Sequence, residues 1–553
     1  MSRIVWRTAY FLLAVLPACF LAWQVATWTR NVPNWDEFDA VLDLLISLDA
    51  GVERGEIASQ VVSIQNEHRT VVSRSLFVLS YWIFGGINFI ALAVVGNLFL
   101  VALFVLLLAR VRDAPARWRL AAIFSLAVFQ LQHHESLFWG GSSIDHFLVV
   151  MAAVGGLVAL TAQGRWSVPL GALGGFVATF SLAQGLLVWP IAMLLLAWER
   201  RTRELLAWTS VGALSTALFL AGFHVNPGHH LPQLSDIPAV LWFWLRLLGS
   251  SPAFDDVTLA PWCGGILVVA TAWVFRRAGE PRERFAGVAI LWCIGAAGLI
   301  AWGRTLLSNE WAPITSRYII LSSVAWALLA WVIVERAIAA FPRWKWWLVP
   351  FFAGLVYFNL AANFVHFHAG RVYAMNADSA VESFYKHGSF VHAPTPLYPD
   401  PARADAMIRE AQKREIFRLP EIDSAEAALP AAIPLEAARE IDNVHYFIDE
   451  FEEGPGQVRI SGWAFRPEEG VRYGDVGVLF RSEGALLAFE AFPRLRPAVA
   501  EVFERSDAAY AGFELTVPTD KLPAGTYGMG ICFSLHGSPE YIMTANTLVV
   551  RAR

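Results

Sequence analysis

The chain has 553 residues, of which 56% are hydrophobic and 16% charged, and its mean hydropathy of +0.48 is too high for an ordinary soluble protein. A net charge of −5 provides no basic field, which argues against nucleic acid as a partner. Cys19, Cys263, Cys293 and Cys532 are scattered along the chain, which excludes a disulfide framework and a CxxC metal site. Arg3 and Arg7 precede an apolar run over 8–28 that is long enough to span and has no small-residue cleavage site, so it reads as a retained first helix. Further apolar runs at 87–109, 120–132, 146–163, 167–182, 184–198, 205–223, 259–275, 285–302, 318–335 and 347–365 predict about eleven transmembrane helices over residues 1–365.

Basic residues fix the expected orientation, because Lys and Arg accumulate in cytoplasmic loops. Arg110, Arg112, Arg117 and Arg119 share one short loop, and Arg165 occupies the next on that side. Arg200, Arg201 and Arg203, then Arg276, Arg277, Arg282 and Arg284, then Arg336, Arg343 and Lys345 follow in alternate loops. The stretch 133–145 between them has no Lys or Arg. The N-terminus is therefore expected inside a bacterial inner membrane and everything after His366 outside.

Residues 366–440 read as a linker with helical segments, punctuated by prolines between His392 and Pro401. Over 441–553 the pattern changes to short alternating runs, at 457–465, 475–480, 513–517 and 526–533, separated by Gly and Pro turns. That texture predicts an all-β sandwich domain outside the membrane.

Three polar constellations fall in the outward loops. The first loop carries Asn34-Trp35-Asp36-Glu37, then an amphipathic run over 40–48, then Asn66-Glu67-His68-Arg69. Val41, Leu44, Leu45 and Leu48 share one helical face, which predicts a helix lying along the membrane surface. Paired carboxylates such as Asp36 and Glu37 can deprotonate an acceptor hydroxyl or hold a divalent cation, Mg or Mn, against a phosphate. Helix N-capping is the competing reading of the same pair. The second loop offers His134, Glu135 and Asp145 around Trp139, a mixture suited to hydroxyl-rich substrates. The third has Arg304, and thirteen positions on Arg317 with Tyr318. Two guanidinium groups at helix ends near lipid call for an anion, and a lipid phosphate matches their forked donors.

These elements, in this order on this topology, resemble the GT-C superfamily of integral-membrane glycosyltransferases, which use polyprenyl-phosphate sugars. The resemblance covers roughly residues 1–370. It implies Asp36 as catalytic acid–base residue with Glu37 as its partner. It also implies a surface helix after them, and lipid-phosphate binding at Arg304, Arg317 and Tyr318. Asn66, Glu67, His68, Arg69, His134, Glu135 and Asp145 are then expected on the substrate side. The implied activity is inverting transfer of a sugar to an extracytoplasmic glycan, lipid or protein, with membrane lipids as surroundings. Ser461-Gly462-Trp463-Ala464-Phe465 with Ala511-Gly512-Phe513 is similar to a β-sandwich accessory module of bacterial surface-glycan enzymes. Two other readings stay open: a transporter or flippase of lipid-linked glycans, and a non-catalytic envelope assembly protein.

Overall fold

The computed structural model describes residues 3–550 apart from 51–53, 65–66, 163, 224–231, 255, 277–280, 307–314, 344, 394, 421–430, 434–437, 455, 470, 472–475, 483–485, 495 and 534–538. It forms two compact units, Met1–Ala374 with Ala406–Arg418, and Met375–Asp405 with Leu419–Arg553. Neither is a single stretch of chain.

The first unit is helical. In chain order it contains α1 (Arg3–Trp28), α2 (Leu44–Asp49), α3 (Arg54–Val62), α4 (Val71–Phe84), α5 (Phe89–Arg110), α6 (Ala114–Val128) and α7 (His134–Phe138). There follow α8 (Gly140–Leu160), α9 (Ser167–Thr179), α10 (Val188–Trp198), α11 (Thr202–Leu220) and α12 (Ile237–Ala253). Then come α13 (Ala260–Arg276), α14 (Pro281–Arg304), α15 (Ile319–Ala340) and α16 (Leu348–Val365). Among the described residues six helical spans are long and apolar enough to cross a membrane: Val5–Trp28, Phe89–Arg110, Gly140–Leu160, Glu283–Arg304, Ser316–Ala340 and Lys345–Phe384. Shorter apolar helices accompany them, and α4 and α12 fall where the sequence reading had placed only loop.

Local chemistry sets the helix ends. Gly85, at φ +69°, closes α4, and three residues later Asn88 caps α5 by accepting from the Ala91 amide at 3.0 Å. Asp113 does the same for α6, accepting from Ala116 N at 2.8 Å. One apolar core runs through the bundle and encloses Trp208, Trp292 and Trp331 completely. Close helix approach is made at small residues: a side chain at Gly249 of α12 would collide with the Ala260 carbonyl of α13. Helix ends on the arginine-rich side are tied by ion pairs. Arg119 of α6 holds Glu335 of α15 with two bonds of 2.6 and 2.7 Å, and Arg336 holds Glu283 at 2.7 Å while stacking over Trp273.

Among the described residues the expected linker forms the helical segments read from the sequence. It contains α17 (Ala369–His387) and α18 (Pro401–Lys413), and it supplies buried residues to both units. Within the first unit Ile416 accepts from Ile87 N at 2.8 Å and Phe417 packs edge-on against Phe89.

The second unit carries the C-terminal strands: β1 (Ala431–Ile433), β2 (Arg439–Glu440), β3 (His445–Gly454), β4 (Gln457–Phe465) and β5 (Val476–Arg481). Next come β6 (Leu486–Glu490), β7 (Phe492–Arg494), the short helix α19 (Pro497–Val502), β8 (Gly512–Pro518), β9 (Gly525–Phe533) and β10 (Glu540–Val550). They form a six-stranded sheet in the order β1-β6-β5-β9-β10-β2 and a four-stranded sheet in the order β3-β4-β8-β7. All pairings are antiparallel except β2 with β10. Alternate residues of both sheets share one core, with Val458, Ile460 and Phe513 from the smaller and Val478, Phe480 and Ile531 from the larger. Arg494 joins Glu382 and Glu514 and donates to Ser379 Oγ at 3.1 Å, which fastens α17 to this unit's sheets.

Candidate active site

The first loop is tied down by its own polar side chains. Asn31 accepts from Phe89 N at 2.8 Å. Trp35 adopts a left-handed backbone, φ +47°, which is uncommon outside glycine and turns the chain sharply before Asp36. Glu37 is buried, its Oε1 accepting from Gly141 N at 2.7 Å and its Oε2 from Asn34 N at 2.8 Å. Burial pushes its carboxyl up to about 8, against the pull of those two amides. Gly141 leaves room for this contact, since an added Cβ would come within 3.0 Å of Glu37 Cγ. The adjacent Asp36 is open instead. Its carboxylate faces a cavity, and enclosure by protein raises its pKa, opposed first by Arg317 and then by Arg304.

The expected surface helix begins as a π-helical turn, Phe38–Asp43, and continues as α2. Val41, Leu44 and Leu45 are buried and Asp43 is exposed, as the predicted faces require, but Leu48 is only half-buried and Leu42, off the predicted apolar face, is buried as well. π turns widen a helix by one residue per turn and concentrate at functional sites.

The second half of the loop returns to the same cavity. Asn66 lies outside the described residues. Glu67 has φ +63°, and it and His68 line the cavity. His68 Nδ1 accepts from Ala183 N at 3.2 Å. Burial, and then Arg304, hold its pKa down at about 4. Arg69 points elsewhere: it donates to the carbonyls of Phe219 at 2.7 Å, Val62 at 2.6 Å and Ala221, closing the C-terminal ends of α3 and α11.

Helices α8 and α14 and the 3-10 turn Ser316–Tyr318 before α15 supply the opposite wall. Asp145 lines the cavity and accepts from Ser73 Oγ at 2.5 Å. Arg304, at the end of α14, lies within electrostatic reach of Asp36 and His68. The Arg317 guanidinium lies 5.9 Å from the Trp139 ring centroid and 5.4 Å from that of Tyr318. Its Nε is buried without a hydrogen-bond partner among the described residues. Glu135 does not line the cavity; its Oε2 accepts from Arg317 N at 3.2 Å and its own N–H donates to Ser316 Oγ at 3.1 Å, which fixes the backbone of Arg317. His134 also stays outside, stacked on His366 with centroids 5.5 Å apart.

The cavity measures about 560 Å³ and gathers Asp36, Glu37, Glu67, His68, Asp145, Arg304, Arg317 and Tyr318. An apolar flank of Phe219, Leu220, Phe223, Leu299, Ile300 and Trp302 completes it. His146, which the sequence places in the second-loop polar group beside Asp145, lines the cavity, and so does Gln184, which the sequence reading had not singled out. Gln184 had a visible signal, a polar residue interrupting two long apolar runs. Among the described residues no group of three or more His, Cys, Asp or Glu side chains is arranged to hold a metal ion, so a cage built by protein alone is not present there. No family model matches the chain, and neither a curated protein nor a solved structure matches it.

Proposed function

We propose that this chain is an inverting membrane glycosyltransferase that moves a sugar from a polyprenyl phosphate to an extracytoplasmic glycan, lipid or protein. The observation that carries this reading is one cavity lined by an open carboxylate, two arginines and an apolar wall, drawn from the first loop and from helices nearly 300 residues away. An apolar flank suits a prenyl chain, the guanidinium forks suit its phosphate, and Asp36 suits an incoming hydroxyl. The proposed setting is a bacterial inner membrane, with about eleven crossings, the N-terminus cytoplasmic and the β unit, read as a sandwich, outside. That count is of the apolar runs read from the sequence, and α4 and α12 are not among them.

In the reaction the acceptor hydroxyl attacks the anomeric carbon and passes its proton to Asp36. The bond from that carbon to the phosphate oxygen breaks, and its electron pair leaves with the lipid phosphate, whose charge Arg304 and Arg317 stabilise. One displacement inverts the carbon.

The test is transfer of labelled sugar from a panel of polyprenyl-phosphate donors to a glycan extract by purified protein. Asp36→Asn should lower kcat by about 10²–10⁴-fold and Arg304→Ala by about 10²-fold, with folding matched to wild type. A wild type that transfers nothing across the panel yet moves lipid-linked glycan between vesicle leaflets would replace this reading with transport.

A further inference from the structure

His68 is oriented more tightly than a loop histidine requires. Glu67 before it is held in a left-handed conformation, and Arg69 after it is anchored to three carbonyls of two helix ends. The ring itself receives an N–H from Ala183, the first residue of the 3-10 turn Ala183–Leu187 that leads into α10. A nitrogen that accepts a hydrogen bond carries no proton. A neutral ring with Nδ1 so occupied must hold its hydrogen on Nε2. A helix start is also where backbone amides are free to donate outward.

The ring lines the cavity and lies within reach of Arg304, the group assigned to the lipid phosphate. We propose that His68 donates its Nε2–H to the lipid phosphate and remains a neutral imidazole throughout the reaction. The inference rests on the transferase reading only for the role of that phosphate as leaving group. As the bond from the anomeric carbon breaks, charge accumulates on the departing oxygen and the hydrogen bond from His68 strengthens. The hydroxyl proton goes to Asp36, the electron pair to the phosphate, and His68 gains and loses nothing. A neutral donor is the useful form here. Arg304 opposes a further positive charge beside it, and the pKa near 4 leaves the ring uncharged at neutral pH.

The experiment measures binding of undecaprenyl monophosphate to the full-length protein in lipid nanodiscs, beside sugar transfer, for wild type, His68→Ala and His68→Gln. Glutamine keeps a carboxamide N–H near the position of Nε2 and an oxygen that can accept from Ala183; alanine keeps neither. The expected result is a Kd raised about tenfold or more in His68→Ala and within about threefold of wild type in His68→Gln. Where transfer is measurable, kcat should fall further than Kd rises in the alanine variant, with partial recovery in glutamine. Equal binding by all three proteins overturns the assignment, as does a glutamine variant no better than alanine. If wild type binds undecaprenyl monophosphate with this pattern but transfers no sugar, His68 stands as a phosphate contact and only the transferase reading falls. A wild type that does not bind the lipid phosphate overturns both.

Discussion

Glu37 accepts amide hydrogens from Asn34 and Gly141 while burial lifts its pKa to about 8, so its carboxyl is mostly protonated at neutral pH. In the unfolded chain the same group titrates near 4.5. A pKa raised by folding gives stability that is complete below the unfolded value and is lost as pH rises through the folded one. The thermal midpoint of wild type should therefore fall between pH 5 and pH 8, and Glu37→Gln should flatten that dependence; parallel curves for the two proteins would refute it. Asp36, one residue away, is exposed to the cavity and is the residue to which the proposed reaction gives the proton. Sequence distinguished Asp36 as the reacting acid from Glu37 as its partner only through the family resemblance, because which of two neighbours on a tight turn is buried stays hidden until the backbone direction is known. His68 and Arg69 show the same limit: successive side chains of an extended segment point opposite ways, so one faces the cavity and the other caps helices. Arg304 and Arg317 were legible because charge at the end of an apolar run demands a partner.

At the scale of helices, the buried pair Arg119 and Glu335 joins α6 to α15 with two short bonds. Removing one partner strands the other charge in a poorly solvated place, so Arg119→Ala should destabilise the bundle by roughly 3 kcal/mol. The double variant Arg119→Met with Glu335→Leu should recover much of that loss in a thermal melt. A melt in which the double variant is as weak as the single one would show that packing, not charge, governs the contact. The long apolar runs were read correctly as helices because composition alone decides them. Helices α4 and α12 were missed for a physical reason: α4 opens on Ser73-Arg74-Ser75 and α12 contains Arg246 and ends in Gly249-Ser250-Ser251, so neither sustains an apolar window of bilayer length. Their burial comes from neighbouring helices, through contacts such as Gly249 on Ala260 that no single-chain pattern records.

For the molecule as a whole, orientation is the property that function depends on most. In a cysteine-free background, Glu452→Cys on β3 should react with a membrane-impermeant maleimide in intact spheroplasts, and Arg203→Cys at the start of α11 should react only after lysis. The reverse pattern would put the β unit in the cytoplasm and remove its access to an extracytoplasmic acceptor. The change from helical to alternating texture near residue 441 was legible because strand and helix periods differ. The allegiance of 366–440 was not, since tertiary contacts decide which core takes a short amphipathic helix. That allegiance leaves a mark on the chain's heredity. Residues 375–405 belong to one unit and 406–418 to the other, so the polypeptide changes unit three times before its final strands. No single cut yields either unit entire, and recombination cannot trade the C-terminal strands as a ready-made cassette without severing a segment that one of the two cores requires.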